Sequence, residues 1–129
     1  MVQVGISNVL MDIFTRDGIP IPPHISLNAL IDTGATNSTI STGKIDSLGL
    51  NPIGAQSIIG VGHTKPTHYP MYRVGVSLFG VEYFDTTVTV LPINIPYNTE
   101  CLIGRDILMR CLFTYNGPGG SFSLRGQQE

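Results

Sequence analysis

An all-β fold is expected from three features of the 129-residue chain. Apolar residues alternate with period two along much of it, Gly-containing turns interrupt the alternation, and helical periodicity is scarce. Val2, Val4 and Ile6 alternate with Gln3 and Gly5. Ile25, Leu27, Ala29 and Ile31 alternate with Ser26, Asn28 and Leu30, which predicts a strand running through residues 25–31. Tyr72, Val74, Val76 and Leu78 share one face of another strand, opposite Arg73, Gly75 and Ser77, and Val88 and Val90 alternate with Thr87 and Thr89. Asp17-Gly18 reads as a hairpin turn, as does the break at Gly80. Asn116-Gly117-Pro118-Gly119-Gly120 joins Leu112-Phe113-Thr114-Tyr115 to Ser121-Phe122-Ser123-Leu124 as a further hairpin. Two short helices are predicted. One covers residues 42–48 and stops at Gly49; the other covers residues 106–111, with Asp106 suited to its N-terminus and Ile107, Leu108 and Cys111 on one side.

The length suits one domain over residues 1–129, with a modest core. Fifteen Gly, nine Pro and an apolar content of 42% agree with a turn-rich β protein. A net charge of only −2 argues against nucleic acid or an anionic membrane as the main partner. No apolar run approaches the roughly 18 residues of a membrane span. The start, Met1-Val2-Gln3-Val4-Gly5, lacks the basic and apolar regions of a signal peptide, so a cytoplasmic location is expected. Cys101 and Cys111 are read as a reduced pair, and neither has metal-ligand spacing with a His. No metal or cofactor is expected, and His63 and His68 are read as solvated. Asn37-Ser38-Thr39 matches a glycosylation acceptor, taken as coincidence in a chain without a signal peptide.

The most informative stretch is Asp32-Thr33-Gly34-Ala35, at the end of the apolar run 25–31. A carboxylate delivered by a buried strand into a Gly-containing turn is unusual, because Asp is rarely buried unless paired or working. Two other segments accompany it. Ser57-Ile58-Ile59-Gly60-Val61-Gly62-His63 places two glycines around an apolar residue at a hairpin tip, where backbone can approach a ligand closely. Cys101-Leu102-Ile103-Gly104-Arg105-Asp106 reads as a short buried strand, a Gly and a helix start.

In order and spacing, Ala29-Leu30-Ile31-Asp32-Thr33-Gly34-Ala35, the glycine-rich hairpin and Leu102-Ile103-Gly104-Arg105-Asp106 resemble the retropepsin-like aspartic proteases. These are the single-domain homodimeric proteases of retroviruses and their cellular and bacterial relatives, and the resemblance spans roughly residues 25–124. It implies a closed, barrel-like acid-protease subunit with a flap hairpin and one short C-terminal helix. It also implies a homodimer that cleaves polypeptides as an aspartic endopeptidase, Asp32 of each copy forming a dyad. Thr33 then hydrogen-bonds across the dyad, Gly34 lets substrate backbone pass close, and Gly60, Val61 and Gly62 form the flap tip. Ile59, Val61 and the 92–98 loop become walls of the cleft. Gly104, Arg105 and Asp106 brace the catalytic loop, and segments 2–6 and 121–124 become candidates for the inter-subunit sheet.

Two departures qualify the resemblance. Thr36 stands where retroviral enzymes usually carry an Asp that pairs with the arginine matching Arg105, so Arg105 needs another acceptor, either Asp106 or a carbonyl. Ala35 stands where pepsin-like relatives commonly have a Ser that hydrogen-bonds the carboxylate, so activity is expected at mildly acidic to near-neutral pH. A non-catalytic peptide-binding or dimerisation module on the same fold is the alternative, and the chain could be a fragment of a longer precursor. The intact Asp32 loop favours the enzyme.

Overall fold

The computed structural model describes residues 1–59, 65–78 and 81–126. The chain runs through β1 (Val2–Gly5), α1 (Asn8–Asp17), β2 (Ile25–Leu27), β3 (Ala29–Ile31), β4 (Thr39–Ser41) and a 3-10 turn (Asp46–Leu48). It continues through β5 (Gly54–Ile58), β6 (Thr67–Ser77), β7 (Phe84–Leu91), β8 (Cys101–Ile103), α2 (Arg105–Leu108), β9 (Cys111–Asn116) and β10 (Ser121–Gly126). Eight strands make one nearly closed, barrel-like sheet in the order β2-β1-β6-β7-β4-β8-β3, with β5 paired to β6. β9 and β10 form a separate two-stranded sheet. The fold is mostly β, as expected.

The long strand β6 organises the sheet. Its first part, from Thr67 to Met71, pairs with β5, whereas Met71 to Ser77 pairs with β7 and β1. The β5–β6 hairpin is the one on which the flap was expected. Its tip residues Gly60, Val61 and Gly62, and the Gly80 break, lie outside the described residues. β4 pairs in parallel with β7 and antiparallel with β8, and β8 pairs in parallel with β3.

The core follows the alternation. Val2, Val4, Ile6, Val74, Val76, Leu78, Val88 and Val90 are all buried, together with Ile40, Ile103 and Ile107. Thr86, in step with Val88 and Val90, is buried, and so is Thr89, which was read as facing the other way. The C-terminal hairpin forms where expected, with Leu124 opposite Phe113.

Four local expectations are corrected. Asp17-Gly18, expected as a hairpin turn, is a helix end: α1 occupies the residues before it, where no helix was expected. Ser7 Oγ accepts the Leu10 N–H at 3.1 Å as N-cap, and Gly18 closes the helix at φ 69°. Leu10, Met11 and Phe14 pack this amphipathic helix on the core. A glycine at positive φ serves a helix C-terminus as well as a hairpin, which is why the dipeptide was ambiguous. Second, the strand over 25–31 divides at Asn28, since β2 pairs with β1 and β3 with β8. Third, the helix expected over 42–48 shrinks to the 3-10 turn, although Gly49 ends it in the left-handed region at φ 65°. Fourth, β1 has β2 on one side and β6 on the other, so segment 2–6 offers no free edge for an inter-subunit sheet.

One glycine pair has a packing reason. Gly5 and Gly75 are cross-strand partners, and the Tyr83 ring lies over them, stacked on His24 at 5.0 Å between centroids. A Cβ at Gly5 would sit 2.7 Å from the Tyr83 hydroxyl, and one at Gly75 would run into the ring itself. Tyr83 donates its hydroxyl to the Ile6 carbonyl. Burial, then the charge of Asp85, pushes its pKa up to about 12, so the donor persists at any working pH. Gly75→Ala is expected to expel the ring and lower stability by about 2–3 kcal/mol. The check is chemical denaturation of the variant against the parent.

Candidate active site

β3 ends at Ile31 and delivers Asp32 to the loop that follows. The Asp32 N–H still belongs to the sheet, donating to the Ile103 carbonyl at 2.9 Å. The chain then turns: Ala35 N–H donates to the Asp32 carbonyl at 3.1 Å, and Gly34 N–H donates to Asp32 Oδ1 at 3.0 Å. The carboxylate is thereby oriented by its own loop. A Cβ on Gly34 would stand 3.3 Å from Asp32 Oδ1, so the glycine keeps the space beside the carboxylate open.

In the single chain, β3 is less buried than the sequence suggested. It lies at the end of the strand order, Leu30 is 46% exposed, and Ile31 and Asp32 are half-buried. An apolar strand at a sheet edge, ending in a half-open carboxylate, is a surface that water covers poorly.

The expected brace assembles on this loop. Arg105 N–H donates to the Ala35 carbonyl at 2.8 Å and Asp106 N–H to the Thr36 carbonyl at 3.2 Å. The Arg105 side chain donates from Nη1 to the Thr33 carbonyl at 2.9 Å and from Nη2 to Thr36 Oγ1 at 3.0 Å. Of the two acceptors left open by the sequence, the carbonyl is realised and Asp106 is not. Thr36, without a charge, still supplies a hydroxyl oxygen. Gly104 is required by space, because a Cβ there would lie 2.8 Å from the Asn37 carbonyl carbon and 3.0 Å from the Ala35 oxygen.

Asp106 turns instead to Ser38, a residue that sequence reasoning passed over. Ser38 is fully buried; its Oγ donates to Asp106 Oδ1 at 2.6 Å and accepts the Gly104 N–H at 2.9 Å. Ser38 N–H donates to Asp106 Oδ2 at 3.0 Å, and Ile107 N–H donates to Oδ1 at 2.8 Å. The only sequence signal for Ser38 was its place in Asn37-Ser38-Thr39, read there as chance.

A second clamp holds the start of β3. Asn28 O accepts from Glu100 N–H and Cys101 N–H, while Asn28 N–H donates to Glu100 Oε1 at 3.1 Å. That backbone bond, then Lys44 at 3.2 Å, holds the Glu100 carboxyl below its usual range. The cysteines take no part in the loop. Burial pushes the Cys101 thiol up to about 12, and Cys111 is raised for the same reason.

Beside β3 lies an open cavity of about 450 Å³ whose walls include Leu30, Ile95, Pro96, Tyr97 and Thr99. Among the described residues, no charged side chain lines it. Three residues of the 92–98 loop thus line a cavity beside β3, and one of them, Tyr97, is 95% exposed with φ 70°, a backbone state unusual for a tyrosine. Ile59, expected as a wall residue of the flap, is 63% exposed just after β5. Among the described residues, no three His, Cys, Asp or Glu side chains come together as metal ligands.

These features define an acid-protease fold of the retropepsin type. Residues 23–110 match the family model described as gag-polyprotein putative aspartyl protease, and the chain belongs to that family. Among solved structures, it is similar to the EIAV protease complexed with the inhibitor HBY-793. That match has 28% identity and a TM-score of 0.51, covering 64% of this chain and 74% of the other. No curated protein sequence is similar enough to count as a match.

Proposed function

We propose that this chain is one half of a homodimeric aspartic endopeptidase, a single domain over residues 1–129 in which Asp32 is the catalytic residue. The observation that carries this reading is the single Asp32 carboxylate, held by its own loop and standing half-open at the end of an edge strand. Membership of an aspartyl protease family supports the reaction class.

The chemistry explains why one copy is not enough. Metal-free peptide hydrolysis without a covalent intermediate needs a base to activate water and an acid to polarise the carbonyl. One carboxylate cannot be both at once. Two carboxylates about 3 Å apart cannot both ionise, so they share one proton. The ionised member takes a proton from the attacking water while the protonated member donates a hydrogen bond to the scissile carbonyl oxygen. A tetrahedral gem-diol forms, and collapse of that intermediate with proton transfer to the leaving amine completes the cleavage. With one Asp-Thr-Gly turn per chain, the second carboxylate comes from a second copy across a two-fold axis.

Supporting roles follow from placement. Thr33, exposed beside Asp32, reaches across the axis, and Arg105 fixes the loop that carries it. An extended peptide lies between the Asp32 loops and the flap residues Ile59, Gly60, Val61 and Gly62 with strand-like backbone bonding. The uncharged cavity beside Leu30 receives an apolar side chain of that peptide.

Two results are expected. Specific activity falls on dilution, because the site exists only in the dimer. Activity that is strictly first order in protein down to the monomeric range would overturn the reading. Because Ala35 offers no hydroxyl to the carboxylate, the pH-rate profile is expected to peak at mildly acidic to near-neutral pH. A maximum near pH 2 would contradict the role given to position 35.

A further inference from the structure

The open cavity beside β3 is built almost wholly from two stretches of chain. Apart from Met1, its lining is residues 28–30 together with Ile95, Pro96, Tyr97 and Thr99. Leu30 ties this cavity to the Asp32 loop. It stands two residues before Asp32, whose N–H still belongs to the sheet, so both side chains leave the same face. The second stretch is a loop fixed at its ends. Ser41 Oγ accepts the Ile93 N–H at 3.4 Å, and Ser41 N–H donates to the Glu100 carbonyl at 2.9 Å. Within the loop, Thr99 Oγ1 donates to the Pro96 carbonyl at 3.0 Å, around Tyr97 and Asn98 at φ 70° and 54°.

The two stretches are joined by Glu100. Its N–H donates to the Asn28 carbonyl at 2.8 Å, and its Oε1 accepts the Asn28 N–H at 3.1 Å. Oε2 meets Lys44 Nζ at 3.2 Å, from the turn after β4. Asn28 has need of a side-chain acceptor because it belongs to neither ladder. β2 pairs with β1 as far as Leu27, and β3 pairs with β8 from Ala29 onward. Asn28 is exposed, so water would satisfy its N–H nearly as well as a carboxylate does. What water cannot do is set the distance between the two cavity walls. The Asn28 bond, then Lys44, holds the Glu100 carboxyl below its usual range, so the acceptor survives at mildly acidic pH.

We propose that Glu100 is a positioning residue for substrate. Its carboxylate fixes the spacing of the two walls, and that spacing sets the preference for a large apolar side chain in the cavity beside Leu30. This rests on the protease reading above. Glu100 touches neither the peptide nor the reacting atoms; it acts through Asn28 and the loop that ends at Thr99.

The probe is a peptide set in which each position carries Leu or Ala in turn. At the position where the parent discriminates most, Glu100→Ala is expected to raise KM for the Leu peptide about three- to tenfold, with kcat and the Ala peptide unchanged. Glu100→Gln keeps an oxygen for the Asn28 N–H and is expected to restore the parental KM, since the exposed Lys44 pair contributes little. Amide exchange reads the clamp without any substrate: the Asn28 N–H exchanges faster in Glu100→Ala than in the parent, and at the parental rate in Glu100→Gln. Parental discrimination in Glu100→Ala, equal losses on both peptides, unchanged exchange, or a Gln variant as impaired as the Ala variant overturns the positioning role. The same peptides, titrated calorimetrically into Asp32→Asn protein with and without Glu100→Ala, separate the two proposals. Clamp-dependent binding beside a parent that cleaves nothing counts against the protease reading and supports the clamp. Cleavage by a parent whose selectivity ignores Glu100 counts against the clamp alone. A protein that neither binds nor cleaves any peptide of the set overturns both.

Discussion

Asp32→Asn is expected to lower peptide cleavage by at least about a thousandfold while leaving fold and dimer in place. The substitution keeps size and shape. Asparagine Oδ1 can still accept the Gly34 N–H that now meets Asp32 Oδ1 at 3.0 Å, so the loop loses no hydrogen bond. What disappears is the capacity to take a proton from water and to return it. Both copies change at once, and neither an acid nor a base remains at the axis. In the proposed dimer the parent pair shares one proton, and two Asn amides in its place can still hydrogen-bond to each other, so the variant dimer should dissociate about as readily as the parent. The measurement is cleavage of a peptide library by mass spectrometry, with sedimentation velocity on the same samples. Cleavage by the variant at the parental rate would end the assignment of Asp32. Mixing parent with excess variant provides a second reading: exchanged heterodimers hold one carboxylate, so activity should fall below that of the diluted parent.

The parts of this site visible in the sequence are those whose chemistry is local. Asp32-Thr33-Gly34 announces a carboxylate in a tight turn, and the Gly in Gly104-Arg105-Asp106 is required because any Cβ would meet the carbonyls of Asn37 and Ala35. The hairpin at residues 116–120 was equally plain, since its Gly and Pro admit few conformations. What escaped depends on partners distant in sequence. Asn28 breaks the 25–31 alternation because Glu100, 72 positions later, bonds both to its N–H and to its carbonyl. Ser38 looks like a surface polar residue until Asp106 and Gly104 arrive from the other end of the chain. α1 was missed for another reason. Its signals were local, with Ser7 as cap, Leu10 and Phe14 at helical spacing and Gly18 as stop, but Asp17-Gly18 was read as a hairpin turn. Where two periods compete over a short stretch, the capping residues are the better guide.

Asp106→Ala should have the largest effect on stability of any single change around the loop, about 3–5 kcal/mol. Three donors converge on this carboxylate: Ser38 N–H, Ser38 Oγ–H and Ile107 N–H. Ser38 is fully buried, so its N–H and hydroxyl cannot turn to water when the acceptor goes. Each unsatisfied group costs roughly 1–3 kcal/mol, and the sum lowers the melting temperature by roughly 10–20 °C. Asp106→Asn keeps one oxygen for Ser38 Oγ and Ile107 N–H but sets an amide against Ser38 N–H, and should lose only about 1–2 kcal/mol. The ordering Ala well below Asn, and Asn below Asp, distinguishes lost acceptors from lost charge, which would place Asn beside Ala. Activity carries the second half of the argument. The residue following Asp106 in this network is Ser38, six positions from Asp32, and Arg105 beside it bonds the Thr33 carbonyl. Loosening that attachment frees the Asp32 loop, so on the proposed protease reading turnover should fall even at temperatures where the variant remains folded. A variant that unfolds within about 0.5 kcal/mol of the parent would show that the Ser38–Asp106 contact carries no weight.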